Sequence, residues 1–221
     1  MNLLILIFHI LLIGGITLGA LRLGKEALIA WITLLAVASN LFILKEITLF
    51  GFHATCTDSL AVGYLLGLNL IQEFFGQKTA QKTVGIAFFI AAAFLSLSFF
   101  QTAYLPDHAD KSHNHYAVIL QPLSRTLIAS LLSFFLVQLF DLSFFAYLRK
   151  KMGGKYFPFR AFFSSFLCEI LDTVLFSYLA LYGIYSSLWQ LICISFAIKA
   201  LTLLITTPFL IFSKKVTHAP I

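Results

Sequence analysis

Apolar residues recur in seven long stretches along the chain, and short polar or charged segments separate each stretch from the next. A helix needs about 20 mostly apolar residues to cross the hydrocarbon core of a bilayer. The stretches are Leu3–Leu21, Ala27–Leu44, Asp58–Phe75, Thr83–Tyr104, Pro122–Leu148, Ala161–Gly183 and Leu188–Phe212. The pattern predicts an all-α fold, a polytopic transmembrane helix bundle with seven spans in a single integral membrane domain, residues 1–221. If six spans exist, the first stretch is the one to remove.

Lysine and arginine residues fall mainly on alternate flanks of these stretches, which predicts the orientation of the chain. One set of flanks holds Arg22, Lys25, Lys78, Lys82, Arg149, Lys150, Lys151, Lys155, Arg160, Lys214 and Lys215. The other set holds Lys45 and Lys111. Because basic residues favour cytoplasmic loops, we expect the N-terminus outside and the C-terminus in the cytoplasm of a bacterial inner membrane. Residues 105–121 then form an outer loop, and residues 149–160 form a basic cytoplasmic loop.

Two connections on the predicted outer side carry patterns of their own. Between residues 46 and 57, apolar and polar residues partly alternate around Gly51, which favours a short hairpin or a re-entrant turn. The outer loop holds His108, His113 and His115 beside acidic residues. We expect a solvated loop there, with metal binding or pH sensing as the sharper alternative.

The composition supports a membrane environment and changes how the net charge is interpreted. The chain is 60% hydrophobic and 11% charged, whereas an average soluble domain is about a quarter charged. The net charge of +6 does not indicate nucleic-acid binding, because the basic residues stand at predicted helix ends. The three cysteines include no CxxC pair and indicate neither a disulfide framework nor a zinc site, so we expect no metal or cofactor.

Ionisable residues inside the predicted spans are the candidate functional residues. A charge at mid-membrane costs roughly 2.5–3.5 kcal/mol on insertion scales, so it needs a substrate, an ion or a partner. Glu169, Asp172 and Lys199 lie deepest, and the two carboxylates share one helix face. They repel each other unless a cation intervenes, and Lys199 and Arg125 are the available cations. A carboxylate left over can accept two N–H bonds from a guanine-like edge; a structural ion pair that orients helices is the alternative.

Two further acidic residues, Glu73 and Asp141, lie near the predicted cytoplasmic ends of their spans. A gating role is one explanation. The other is a structural role: a salt bridge with Lys78 for Glu73, and a pairing with Arg149 or a helix cap for Asp141. Uncharged polar residues in the spans are Asn40, Asn69, Gln72 and Gln138.

Short motifs indicate helix packing and give no sign of catalysis. Gly15-x3-Gly19 and Gly63-x3-Gly67 match the small-residue pattern of close helix contacts. The chain contains no HExxH, GxSxG or Walker A motif, so we expect no enzyme and no ATP hydrolysis by this chain alone. A membrane enzyme that uses Glu169 and Asp172 as an acid–base pair ranks last, because no nucleophile or metal set accompanies them.

Several residue blocks between about residues 35 and 212 form a recognisable pattern. They are Ser39–Lys45, Ile47–Gly51, Ala61–Gly63, Leu68–Gly76, Arg125, Ala129-Ser130, Gln138, Asp141, Leu148-Arg149, Ser164, Glu169-x2-Asp172-Thr173, Phe176, Lys199 and Pro208. In these blocks the chain resembles the VUT family, the queuosine-precursor transporters. The resemblance implies a bundle like the substrate-binding subunits of energy-coupling-factor vitamin transporters. It also implies import of a 7-deazaguanine base, the cyano or aminomethyl precursor or queuine, for tRNA modification.

The membrane argument and the resemblance together define the predicted site. The substrate-binding set is Asn40, Asn69, Gln72, Arg125, Glu169, Asp172, Phe176 and Lys199, and the gating or structural polar set is Glu73, Gln138 and Asp141. The expected partners are a small-molecule base and membrane lipid, with no direct contact to nucleic acid; a homo-oligomer or an energising partner stays open. The alternative function is the substrate-binding subunit of an ATP-driven vitamin-type importer, which needs a separate energising module.

Overall fold

The helices of the protein follow the predicted apolar stretches closely. The computed structural model describes residues 1–42, 45–49, 51–55, 57–120, 124–182 and 188–217, with the backbone alone for 52–55, 124–127, 130–131, 180–181, 188, 190–191 and 216–217. The elements are α1 Asn2–Leu23, α2 Lys25–Leu41, β1 Glu46–Leu49, β2 Phe52–Thr55, α3 Asp58–Phe75, α4 Gln77–Ala103, α5 His113–Leu120, α6 Ser124–Lys151, α7 Phe157–Phe176 with a π-helical turn Ser177–Leu181, and α8 Leu188–Thr217. Each predicted stretch therefore coincides with a long helix, and α5 is a short addition.

Five helices in the described part of the chain are long and apolar enough to cross a membrane. They are Asn2–Leu23, Gln77–Ala103, Leu132–Lys151, Phe157–Leu179 and Ile192–Lys215. The two long helices outside this group are α2, with 17 residues, and α3. Helix α3 is the interior helix: 14 of its 18 residues are buried, and it contacts α1, α2, α4, α7 and α8. Because protein covers α3 on most sides, it can carry polar residues that a lipid-facing helix would exclude.

Close packing around α3 depends on two of its glycines. A Cβ atom on Gly63 would lie 2.5 Å from Cγ2 of Ile13 in α1, and one on Gly67 would lie 2.6 Å from Cγ1 of Ile32 in α2. The Gly63-x3-Gly67 motif therefore allows α3 to approach both neighbours, as predicted. Around Gly15 and Gly19, no atom of the described residues would come within 4 Å of such a Cβ, so this second motif makes no close contact within the described chain.

The segment between α2 and α3 contains the predicted hairpin. Strands β1 and β2 pair antiparallel, with Glu46 opposite Thr55, and Gly51 supplies a positive φ of 84° at the turn. Leu49 packs in one apolar cluster with Ile10 of α1 and Ile198 of α8. The hairpin is thus held between these two helices.

The predicted outer loop is solvated over residues 104–112 and then forms α5. The carboxylate of Asp110 accepts hydrogen bonds from the backbone N–H groups of Ser112 at 2.7 Å and His113 at 3.2 Å, which caps the start of α5. Within the described residues, no three His, Cys, Asp or Glu side chains come together in a way that could hold a metal ion. Asp110, which lies beside the histidines, therefore has a structural role at the start of α5.

Candidate functional site

A buried group of charges joins α7 to α8. The ammonium of Lys199 lies 3.0 Å from Oε2 of Glu169 and 2.5 Å from Oδ2 of Asp172. Glu169 and Asp172 are one helical turn apart, so both carboxylates reach the same cation. The side chains of Lys199 and Glu169 are almost fully enclosed, whereas that of Asp172 is 29% exposed. Of the two cations that the sequence made available, Lys199 pairs with both carboxylates. Asp172 is the member that a ligand can reach most easily.

A third carboxylate, from Asp58, stands beside this group. Asp58 is the first residue of α3 and is buried, and the hydroxyl of Ser195 lies 3.3 Å from both of its oxygens. Ser195 precedes Lys199 by one turn on α8, so Asp58 lies near the lysine that pairs with the other two carboxylates. The sequence interpretation missed Asp58 because it was taken only as the beginning of a span. An acidic residue at the boundary of an apolar stretch was the available signal.

The charge group keeps one buried acceptor without a partner. Oε1 of Glu169 is inaccessible to solvent and has no hydrogen-bond partner among the described residues. Buried polar atoms are nearly always hydrogen-bonded, since leaving one unsatisfied costs about 1–3 kcal/mol. A donor N–H brought to this oxygen would therefore be bound favourably.

A second polar group surrounds Asp141 in α6. Asp141 is fully buried; the hydroxyl of Ser164 donates to its Oδ1 at 2.5 Å, and the thiol of Cys168 lies 3.4 Å from the same oxygen. The alternative that Asp141 pairs with Arg149 is wrong, because the carboxylate of Asp141 contacts Ser164 and Cys168 of α7. Nearby on α7, Ser165 accepts a hydrogen bond of 2.8 Å from the amide of Asn69 in α3.

A third polar group links the end of α3 to the start of α7. The guanidinium of Arg160, which is fully buried, contacts both carboxylate oxygens of Glu73 at 3.0 and 3.1 Å. Arg149 approaches Glu73 at 3.9 Å, so the alternative pairing of Glu73 with Lys78 is wrong. Arg160 also lies over the ring of Phe145, 5.1 Å from its centre. The sequence interpretation counted Arg160 as a loop charge; its place in an aromatic run was the missed signal.

These three groups follow one face of α7. Arg160, Ser164, Cys168 and Asp172 recur at a spacing of four residues, so they form a stripe along the helix. The stripe spans about 18 Å at the rise of an α-helix. Along it, α7 meets Glu73 of α3, then α6, and finally α8.

Two predicted site residues, Asn40 and Gln72, donate hydrogen bonds to backbone carbonyl groups. The amide nitrogen of Asn40 donates to the carbonyl of Ala36 in its own helix at 2.9 Å. The amide nitrogen of Gln72 donates to the carbonyl of Leu142 at 3.0 Å, which ties α3 to α6.

The other predicted residues differ in what the structure shows of them. Gln138 is buried, and its Oε1 has no hydrogen-bond partner among the described residues. Phe176 is half-buried and lies one turn beyond Asp172. Arg125 belongs to α6 by its backbone, but its side chain lies outside the described residues.

Membrane-crossing helices that enclose a stripe of buried polar and charged groups define a multi-pass membrane protein with a polar interior. A family model described as "putative vitamin uptake transporter" matches residues 61–213. The chain therefore belongs to this family, which confirms the predicted VUT membership and the expectation of a transporter, not an enzyme. A transporter of this family is a membrane protein whose substrate is a small molecule.

A named relative matches most of the chain. The "Probable queuosine precursor transporter" of Bacillus subtilis (strain 168) is 29% identical over 198 residues, which is 87% of this chain and 85% of the relative. No solved structure matches the chain.

Proposed function

We propose that this chain imports a queuosine precursor, a 7-deazaguanine base, for tRNA modification. The name of the Bacillus relative supports the substrate class. The observation that carries the proposal is the buried group of Lys199, Glu169 and Asp172, in which more carboxylates than cations gather inside the membrane-crossing helices. A neutral base rich in N–H donors would supply what that group lacks.

In the proposed binding mode, Asp172 accepts the two parallel N–H groups of a guanine-like edge. Its partial exposure supports this choice over Glu169, whose side chain is almost fully enclosed. The unpartnered Oε1 of Glu169 offers a further acceptor, and Phe176, one turn along α7, covers the ring face. Lys199 balances the charge of the site, and Arg125 stays a predicted second cation.

Amide side chains extend the proposed path towards the cytoplasmic end. The buried oxygens of Asn69 and Gln72 have no hydrogen-bond partners among the described residues, so they can accept N–H groups of the base in transit; Asn40 completes the predicted set. At the far end of the stripe, Glu73 and Arg160 close the path as a gate. The buried polar groups of Asp141 and Gln138 lie on α6.

The proposed topology has seven spans in a bacterial inner membrane, with the N-terminus outside and the C-terminus in the cytoplasm. Helix α2 and the protein-covered helix α3 would then cross beside the five apolar helices. The alternation of basic flanks supports this arrangement. Residues 105–121 face outward and residues 149–160 face the cytoplasm.

Uptake of labelled base by cells that produce Asp172→Asn tests the proposal. We expect uptake to be lost at normal membrane levels, because an amide cannot accept both N–H bonds. Asp107→Asn, in the exposed segment, is the matched control and should transport like the parent. Normal uptake by Asp172→Asn would remove this residue from the site, and competition binding of guanine, the two precursors and queuine to purified protein ranks the substrates.

A substrate-binding subunit of an ATP-driven importer is the second candidate. The family description as vitamin uptake and the lack of a Walker A motif in this sequence favour it. Uptake into liposomes that contain the purified chain alone decides between the two. Activity without an added ATPase excludes dependence on an energising module.

A further inference from the structure

A polar cavity lies apart from the charge group, between α1 and the hairpin. Its volume is about 510 Å³, and its walls include Leu6 and His9 of α1 and Lys45, Glu46 and Thr48 at the start of the hairpin. This volume falls within the range of about 300–1,000 Å³ that is typical of small-molecule sites. The walls combine apolar surface with charged and hydrogen-bonding groups.

The beginning of α3 connects this cavity to the charge group. Nδ1 of His9, in the cavity wall, lies 3.2 Å from the hydroxyl of Ser59. The preceding residue, Asp58, contacts Ser195, which stands one turn from Lys199 on α8. Two adjacent residues of α3 therefore contact the cavity wall and the charge group.

The cavity begins at the end of α1, where Asn2 lines it, and extends inward along this helix to His9. His9 is seven residues inside α1, and Ser195 is seven residues inside α8, which corresponds to about 10 Å of helix rise. Leu49 of the hairpin packs at the same level, with Ile10 and Ile198. Both α1 and α8 contain stretches that can cross a membrane. At membrane depth, non-helical backbone occurs where protein buries it or where it lines a cavity.

We propose that this cavity is an outer binding site that holds the transported base before it reaches the charge group. The inference rests on the proposed function. A planar base carries both donors and acceptors: Lys45 can donate to its carbonyl or ring nitrogen, Glu46 can accept from its exocyclic amine, and Leu6 can cover its ring face. His9 of the cavity wall contacts Ser59 of α3, and the preceding residue, Asp58, contacts Ser195 of α8.

Cysteine labelling tests the occupancy of the cavity. Thr48→Cys is made in a Cys56→Ser/Cys193→Ser background that keeps the fully buried Cys168, and intact cells are treated with a membrane-impermeant maleimide. We expect the base to protect Thr48→Cys from labelling and to leave the exposed Ser112→Cys control unprotected. If the base does not slow the labelling of Thr48→Cys in cells that take up the base, the outer site is refuted.

Transport kinetics give an independent measurement. Lys45→Gln/Glu46→Gln should raise the KM of uptake about fivefold, the effect of losing roughly one hydrogen bond, at unchanged maximal rate. The matched control is Lys25→Gln/Glu26→Gln, an exposed Lys–Glu pair at the junction of α1 and α2, which should keep the parental KM. If both double variants keep the parental KM, the outer site is refuted and the proposed function still stands. Absence of uptake and of binding in the parent refutes the proposed function and the outer site with it.

Discussion

Replacement of Lys199 by methionine should destabilise the protein strongly. Lys199 is the cation between the buried carboxylate of Glu169, at 3.0 Å, and the partly exposed carboxylate of Asp172, at 2.5 Å. Methionine has a similar length and flexibility but no charge. The substitution therefore tests the charge of the lysine more than its volume.

The size of the effect follows from the geometry. At 3.0 Å and an effective dielectric constant of about 20, the attraction between Lys199 and Glu169 is about 5–6 kcal/mol. Much of that attraction offsets the desolvation of the two ions, so the net value of the intact pair is smaller. Loss of the cation leaves the carboxylate of Glu169 buried without compensation, and the expected destabilisation is about 3–5 kcal/mol. Glu169→Gln should cost about 1 kcal/mol or less, because Lys199 keeps Asp172 as its partner.

Thermal unfolding of the purified protein in detergent measures this difference. For a chain of this size, about 3–5 kcal/mol corresponds to a fall in Tm of roughly 6–20 °C. Lys82→Met, at an exposed position of α4, is the matched control and should stay within about 0.5 kcal/mol of the parent. If Lys199→Met unfolds at the same temperature as Lys82→Met, Lys199 does not compensate buried charge and the reasoning fails.

Two further predictions concern helix packing and the cytoplasmic end of the stripe. Gly67→Ala should destabilise by about 1–3 kcal/mol because its Cβ would overlap an isoleucine of α2, whereas Gly85→Ala, with open space around it, should unfold at or above the parental Tm; equal Tm values would contradict the close approach. Arg160→Gln leaves the carboxylate of Glu73 with a weakened partner. Liposomes that contain this variant should therefore become leaky to the base when a concentration gradient of the base is applied. Lys150→Gln, also basic but exposed, should behave like the parent, and a tight Arg160→Gln variant would show that the ion pair does not close the path.

The sequence by itself determined the helices and the identity of the charged residues that need an explanation. Apolar stretches are local, and the transfer of a charge into hydrocarbon is unfavourable whatever the rest of the fold does. Glu169, Asp172 and Lys199 could therefore be selected before any contact was visible. The hairpin around Gly51 was likewise readable, since alternation and turn residues are local signals.

Only the tertiary structure decided which polar residues meet. Glu73 binds Arg160, 87 positions away along the chain, in place of its sequence neighbour Lys78, and Asp141 binds residues of α7 in place of Arg149. Asp58 joins the charge group because α3 begins beside Ser195, well inside α8. Such contacts depend on the relative rotation and depth of helices that are distant in sequence. Spacing along one helix fixes which of its residues share a face, but it cannot fix what that face meets.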